Sequence, residues 1–220
     1  MQQSGDPLRI QVFNTQEDAI LNGSYKEGDS LNELRLSKSL GVSRTPVREA
    51  LMQLELEGLV KNIPNKGAVV VGVSEQDVED IYEIRIRTEG LAARLCAEKI
   101  TDEELEELEQ CMALQEYYLK KQDSAKEMGE LDGEFHRIIF AASKSRPLQN
   151  VLTSFHNYIR RARAVSVCVT GRAEESVSEH RAILEAITKH DGELAEKLTA
   201  EHIKNARDNI ATTVHTSCEP

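Results

Sequence analysis

The stretch "GVSRTPVREALMQLELEGLV", Gly41 to Val60, decides how the first third of this chain is read. Gly41 ends one helical pattern and another begins at once. Ser43 or Thr45 can cap that helix, and Pro46 is tolerated in its first turn because the N–H it lacks would be unpaired there. Val47, Leu51 and Leu54 recur at helical spacing and are expected to point inward. Arg44 and Arg48 stand one turn apart on another face, near the helix end whose free N–H groups favour anions. Such a pair points outward, toward something negatively charged.

The flanking segments complete a motif. Upstream, "PLRIQVFNTQEDAILNG" reads as a first helix with Gly23 as its stop. "EGDSLNELRLSKSL" turns at Gly28-Asp29 and forms a short second helix with Leu36 and Leu40 on one face. Downstream, "LVKNIPNKGAVVVGV" changes period, and two β-rich runs flank Pro64-Asn65-Lys66-Gly67, a hairpin signal. Three helices followed by a two-stranded hairpin make a winged helix-turn-helix, in which the third helix offers its N-terminus to DNA. The expected DNA contacts are Arg44, Thr45 and Arg48 on that helix, Arg35 on the second, and Lys66 and Gly67 at the wing tip. A solvated helix face would explain two arginines alone, but not the glycine turn before them and the wing after.

The charge balance at first argues the other way. The 220 residues carry a net charge of −11, yet residues 1–74 hold 8 Lys and Arg against 9 Asp and Glu, while the remainder holds 19 against 29. The acidity lies in the second part, so it does not exclude DNA from the first. No apolar run reaches the ~20 residues of a membrane helix and no secretory leader opens the chain. Cys96, Cys111, Cys168 and Cys218 form no CxxC pair, which argues against a disulfide framework or a thiolate zinc site. A cytoplasmic protein without a membrane partner is expected.

After Ser74 the pattern is helical throughout, with segments near 75–98, 101–121, 124–143, 147–169, 173–189 and 192–213. Thr101 to Glu104 has the form of a capping box opening the second of them. The expected fold is mainly α: a winged helix-turn-helix over residues 1–74, then an all-α antiparallel six-helix bundle over residues 75–220.

The bundle carries a second constellation. Asp132 and His136 are four residues apart on one helix and face the same way. His180 and His202 lie on two later helices. One carboxylate and three imidazoles suit zinc, nickel, manganese or iron. A simple hydrogen-bonded surface pair would also account for Asp132 and His136. His156, His190 and His215 have no such pattern. Arg85 and Glu89 are four apart and read either as an ion pair within one helix or as part of a pocket. Arg160, Arg161 and Arg163 crowd another helix.

These residues resemble a known family. The Gly41–Val60 stretch followed by "PNKGAVV" is similar to the DNA-binding domain of GntR transcription regulators. "YEIRIRTEGLAARLCA", "LDGEFHRIIF", "EHRAILEAI" and "EHIKNAR" resemble the FCD effector domain of the FadR branch, and six helices rather than seven resemble its VanR-like subgroup. The resemblance implies a homodimer on a pseudo-palindromic operator, a small organic acid as effector, metal ligation by Asp132, His136, His180 and His202, and Arg85 near the effector. Leu34 stands where that family often has an arginine, with Arg35 next to it. Two other functions fit parts of the pattern: a sensor of the metal itself, and a metalloenzyme fused to a DNA-binding domain. Against the enzyme, Glu179 and Glu201 precede His180 and His202, and a neighbour at i−1 points about 100° away on a helix. Neither is placed as a general base.

Overall fold

The computed structural model describes residues 7–64, 66–72, 74–121, 124–166 and 172–216, without the side chains of 75, 157–158, 160–166 and 210–216. The side chains of Arg160, Arg161, Arg163 and His215 are therefore not described, and Cys168 and Cys218 lie outside the described residues. Two compact units are present, Met1–Glu75 and Gln76–Pro220.

The first unit contains α1 (Pro7–Leu21), β1 (Ser30–Leu31), α2 (Glu33–Leu40), α3 (Arg44–Leu56), β2 (Val60–Ile63) and β3 (Gly67–Val70). Asn32 caps α2 by accepting the Arg35 N–H at 3.0 Å, and α2 ends on Gly41 in the left-handed region at φ 67°. That glycine turns the chain straight into α3, because an L side chain there would be strained. Ser43 occupies the N-cap position of α3 without a side-chain cap bond. Val47, Ala50 and Leu54 are fully buried and line the inward stripe, with Val12, Ile20 and Leu36 in the same core. Leu51, expected inside, is only half-buried at the edge of that stripe, and Ala50 takes the central place. The i, i+3, i+7 row is therefore 47, 50, 54. α3 packs on α1 and α2.

The wing is a three-stranded antiparallel sheet in the order β1-β3-β2, not the two-stranded hairpin expected. β3 pairs with β2 from Val60↔Val70 to Ile63↔Gly67, and β1 adds Ser30↔Val69 and Leu31↔Ala68 on its other edge. A two-residue strand is too short to show an alternating pattern, so it is invisible until β3 is there to pair with it.

The second unit holds α4 (Glu75–Lys99), α5 (Asp102–Leu119), α6 (Ala125–Ala142), α7 (Arg146–Ser166), α8 (Arg172–Thr188) and α9 (Gly192–Thr216). The Thr101 and Glu104 side chains each bond the other's backbone N–H, completing the capping box of α5. α5 packs on α6 and α8, α8 on α9, and α7 on α6 and α9. α4 and α9 run antiparallel. A Cβ on Gly90 would meet the Glu196 carbonyl oxygen at 2.9 Å, one on Gly192 would meet the Arg94 side chain at 2.9 Å, and Arg207 bonds Glu83. The core joins Ala92, Cys96, Leu108, Met112, Phe135, Ile139, Leu152, Ile183 and Ile187. No helix among the described residues is long and apolar enough to cross a membrane.

Candidate functional site

In the first unit, Arg44 and Thr45 open α3 and Arg48 follows one turn later, all exposed. Arg35 is exposed on α2, and Lys66 and Gly67 are exposed where the wing turns. Gly67 has φ 79°, and the Lys66 carbonyl accepts the Ser30 hydroxyl at 3.0 Å, which ties the wing tip to β1. Sequence reasoning did not foresee what holds the two arginines. Glu33, the first residue of α2, accepts Arg44 Nε at 2.8 Å, Arg48 Nε at 3.2 Å and Arg48 Nη2 at 3.1 Å. The Arg48 bond is the main reason that the Glu33 carboxyl is held below its ordinary range. One carboxylate thus fixes both guanidinium groups beside the helix N-terminus. The arginine side chains remain 60% and 61% exposed, so their outer donors face solvent.

In the second unit, Asp132, His136, His180 and His202 come together from α6, α8 and α9, with one ligand atom of each within 4.8 Å of all the others. All three histidines are buried and Asp132 is half-buried. His202 Nε2 lies 3.2 Å from His180 Nε2 and 3.3 Å from His136 Nε2, and His180 Nε2 is 3.9 Å from Asp132 Oδ1.

The partners of the opposite ring nitrogens show how this arrangement suits a cation. His180 Nδ1 donates to Gln115 Oε1 at 2.8 Å, and the Gln115 amide is oriented by donating Nε2–H to the Leu131 carbonyl at 3.0 Å. His202 Nδ1 donates to Glu179 Oε2 at 2.6 Å. His136 Nδ1 is 3.1 Å from Glu89 Oε2, an electrostatic contact not aligned as a hydrogen bond. The acceptors at His180 Nδ1 and His202 Nδ1 select the tautomer with the proton there, which turns the Nε2 lone pairs of these two rings inward, and the Glu89 carboxylate beside His136 Nδ1 favours the same tautomer for the third. Nε2 atoms grouped at such distances can share one positive ion, and oxygen partners on the outer nitrogens are the usual support of metal-binding imidazoles. The residues present therefore fit a divalent metal ion. Burial lowers the His202 pKa and the Glu179 bond only partly offsets this, which favours the neutral imidazole that ligation requires.

The outer residues were largely missed. Gln115 carries no local signal, since its partners lie on other helices, and the i,i+4 spacing of Glu89 with Arg85 gave no hint of its contact with His136. Glu179 does not serve the adjacent His180. It reaches across to His202 on α9, and Glu201 is exposed. Burial raises the Glu179 pKa, but bonds from His202, Arg172 and Asn205 outweigh it and bring it down to about 2. His156, given no role from sequence, packs its ring 5.2 Å from that of His136 and forms a second set with Glu89 and His136. The Arg85 guanidinium against Glu89 disfavours a second cation there.

Arg85 and Glu89 are both fully buried, and Arg85 Nε donates to Glu89 Oε1. Burial of Glu89 would raise its pKa, yet Arg85 and His136 hold it well below the ordinary carboxylate range. The pair is thus ionised. Arg85 packs over the Tyr82 ring at 4.9 Å, while its Nη1 and Nη2 are buried with no hydrogen-bond partner among the described residues. The Tyr82 and Thr199 hydroxyls are in the same condition. The contrast with Thr15, Thr88 and Thr188 is informative, for each of these bonds the carbonyl four residues back. Thr199 stands three residues before His202 on α9, on the same face.

The comparisons with known proteins follow the same division. Residues 10–70 match the family described as bacterial regulatory proteins, gntR family, and residues 80–205 match the FCD domain. The chain is 34% identical over 204 residues to the HTH-type transcriptional regulator YdhC of Bacillus subtilis, covering 93% of this chain and 91% of that one. It is 26% identical to the HTH-type transcriptional repressor RspR of Escherichia coli over 93% of this chain and 89% of the other. It is also 35% identical to the Nta operon transcriptional regulator of Aminobacter aminovorans, over 63% of this chain and 65% of the other. Among solved structures, E. coli McbR/YncC superposes with a TM-score of 0.76 at 24% identity, over 97% of this chain and all of that one. A GntR regulator of Rhodococcus sp. RHA1 gives 0.70 at 22% identity, over 93% and 97%. These two establish the fold. The chain belongs to the GntR family of bacterial regulatory proteins, with an FCD domain behind its winged helix-turn-helix, and is a DNA-binding transcription regulator rather than an enzyme.

Proposed function

We propose that this regulator changes its operator affinity when a small carboxylate metabolite binds at a metal centre formed by Asp132, His136, His180 and His202. The observation that carries this reading is the convergence of the Asp132 carboxylate and three imidazole Nε2 atoms, with an oxygen hydrogen-bonded at Nδ1 of His180 and of His202 and a carboxylate beside Nδ1 of His136. A zinc, nickel, manganese or iron ion bound there would offer a coordination position to a ligand oxygen. Arg85 supplies the complementary group. Its Nε stays on Glu89 while Nη1 and Nη2 are directed at the acid, a fork that suits a carboxylate. The Tyr82 and Thr199 hydroxyls can accept or donate to further oxygens, so acids with a second polar group should bind better than aliphatic monocarboxylates of equal length.

Arg44, Thr45 and Arg48 read the major groove, Arg35 supports them from α2, and Lys66 and Gly67 approach the backbone from the wing. The protein acts in the cytoplasm as a homodimer on a pseudo-palindrome, since one winged domain presents few base contacts and a two-fold pair doubles them. Effector binding shifts the population between arrangements of the two DNA-binding units. It can do so only by its differential affinity for them. A pure metal sensor is the second reading, and the buried fork of Arg85, which a metal alone would leave unused, favours the acid.

The test joins three measurements on the full chain. Elemental analysis should find close to one metal per chain, chelation should lower Tm because an ion bound only by the folded state stabilises it, and acids should bind the metal-loaded form much better than the stripped form. His180→Ala should lose metal and effector response but keep operator binding in fluorescence anisotropy. A His180→Ala protein with full metal content and a normal response sinks the proposal.

A further inference from the structure

We infer that Glu179 is the residue that positions His202 for the metal, and that Arg172 and Asn205 hold Glu179 in place for that task. The inference rests on the metal reading above and adds a part to it. Four donors converge on the Glu179 carboxylate. Oε1 accepts Arg172 Nη1 at 3.0 Å and Asn205 Nδ2 at 2.8 Å. Oε2 accepts Arg172 Nη2 at 2.8 Å and His202 Nδ1 at 2.6 Å. An ionised carboxylate has about four lone-pair sites, so none is left over and only one orientation satisfies them all. The Arg172 fork fixes the plane of the group, and Asn205 closes the far side.

The place of these residues in the helices explains why the arrangement serves His202 rather than His180. On α8, Glu179 is turned about 100° from His180, which sends it toward α9. Arg172, seven residues earlier, is two turns away on the same face of α8, and Asn205 lies one turn beyond His202 on α9. Two helices thus hold a single carboxylate against a single imidazole.

The three imidazoles are supported unequally. His180 has a neutral amide at Nδ1, and His136 has a carboxylate shared with Arg85 and out of line. Only His202 has a short, aligned bond to a carboxylate among the described residues. A charged acceptor at Nδ1 strengthens the electron pair at Nε2 and fixes the ring plane, so His202 is the strongest nitrogen donor of the set.

A plain staple between α8 and α9 is the competing account, and it makes a different prediction. The probe is cobalt(II), titrated into metal-stripped full-length protein against a chromophoric chelator, with its visible absorption followed. Glu179→Ala should weaken cobalt binding about 10–100-fold and alter the absorption band, while Glu179→Gln, which keeps the accepting oxygen, should recover part of the loss. Arg172→Ala should lie between Glu179→Ala and wild type. The control is Arg181→Ala, which cuts another α8 ion pair, with Glu116 on α5, and should leave cobalt affinity unchanged. Wild-type affinity in both Glu179→Ala and Glu179→Gln overturns the inference, as does an equal loss in Arg181→Ala. A wild-type chain that binds no cobalt overturns the metal reading itself, and this inference with it.

Discussion

Two arginine–glutamate groups show how differently one kind of bond can be used in the two units. Glu33 bridges Arg44 and Arg48 at the surface, where the arginines are 60% and 61% exposed. Arg85 and Glu89 form their pair with both side chains fully buried. In water an ion pair is screened and contributes ~0–1 kcal/mol, so the guanidinium groups at α3 can exchange part of their bonding for phosphate or base at little loss. In the bundle, desolvation makes each charge depend on the other. The surface group is suited to meeting a partner that comes and goes, and the buried one to holding a shape.

The largest expected effect tests this contrast directly. Glu89→Ala leaves the Arg85 charge buried and unpaired, and should destabilise the bundle by ~3–5 kcal/mol. Glu33→Ala should change thermal stability by less than ~1 kcal/mol. Denaturant titration of both variants measures the difference, and comparable losses would break the comparison.

Next in size is an effect on binding instead of stability. Arg44→Ala should lose ~1–3 kcal/mol of discrimination between operator and scrambled duplex with the bundle still folded. Lys66→Ala should weaken binding evenly across sequences and flatten its salt dependence. Fluorescence anisotropy at several salt concentrations separates the two, and unchanged selectivity in Arg44→Ala removes that residue from the contacts.

A smaller effect concerns the turn that aims the exposed arginines. Gly41→Ala meets no neighbouring atom but must adopt φ 67°, and should cost ~1–2 kcal/mol. Because α3 begins just beyond, operator affinity should fall along with the Tm of the first unit. A stabilised variant would show that the turn is not under the strain described.

The smallest expected effect is a pH dependence. The Lys144 ammonium bonds Glu104 and is the main reason its carboxyl is held below the ordinary value of 4.5. A depressed folded pKa contributes stability above the unfolded value and loses it as pH falls through the folded one. Both side chains are partly exposed, so the contribution is under ~1 kcal/mol. Glu104→Gln should make the acid limb of the stability–pH curve slightly shallower, and an unchanged limb would show that this pair is fully screened.

How much could be read beforehand varied with the distance over which each signal acts. The Gly41 turn and the Thr101 capping box were legible because their partners lie within five residues. Leu51 was assigned inward because periodicity alone cannot separate the centre of a buried stripe from its edge. β1 was missed because its pairing partner is far along the chain. His156 had no local signal at all, yet its ring lies beside that of His136.

By itself the sequence determined the helical periods, the abrupt start of α3, the wing, the two-part division of charge, and the pairing of Asp132 with His136 on one helix face, whereas His180 and His202 were joined to that pair only by resemblance to a family. What spacing settles is local, where backbone geometry leaves few alternatives. Only the tertiary structure decided which imidazole nitrogen faces the centre, that Gln115 and Glu179 hold His180 and His202 from 65 and 23 residues away, and that Arg85 is buried with its terminal nitrogens unpartnered among the described residues. The physical reason is that hydrogen bonding and desolvation depend on distances between helices, and those distances exist only once the bundle has packed.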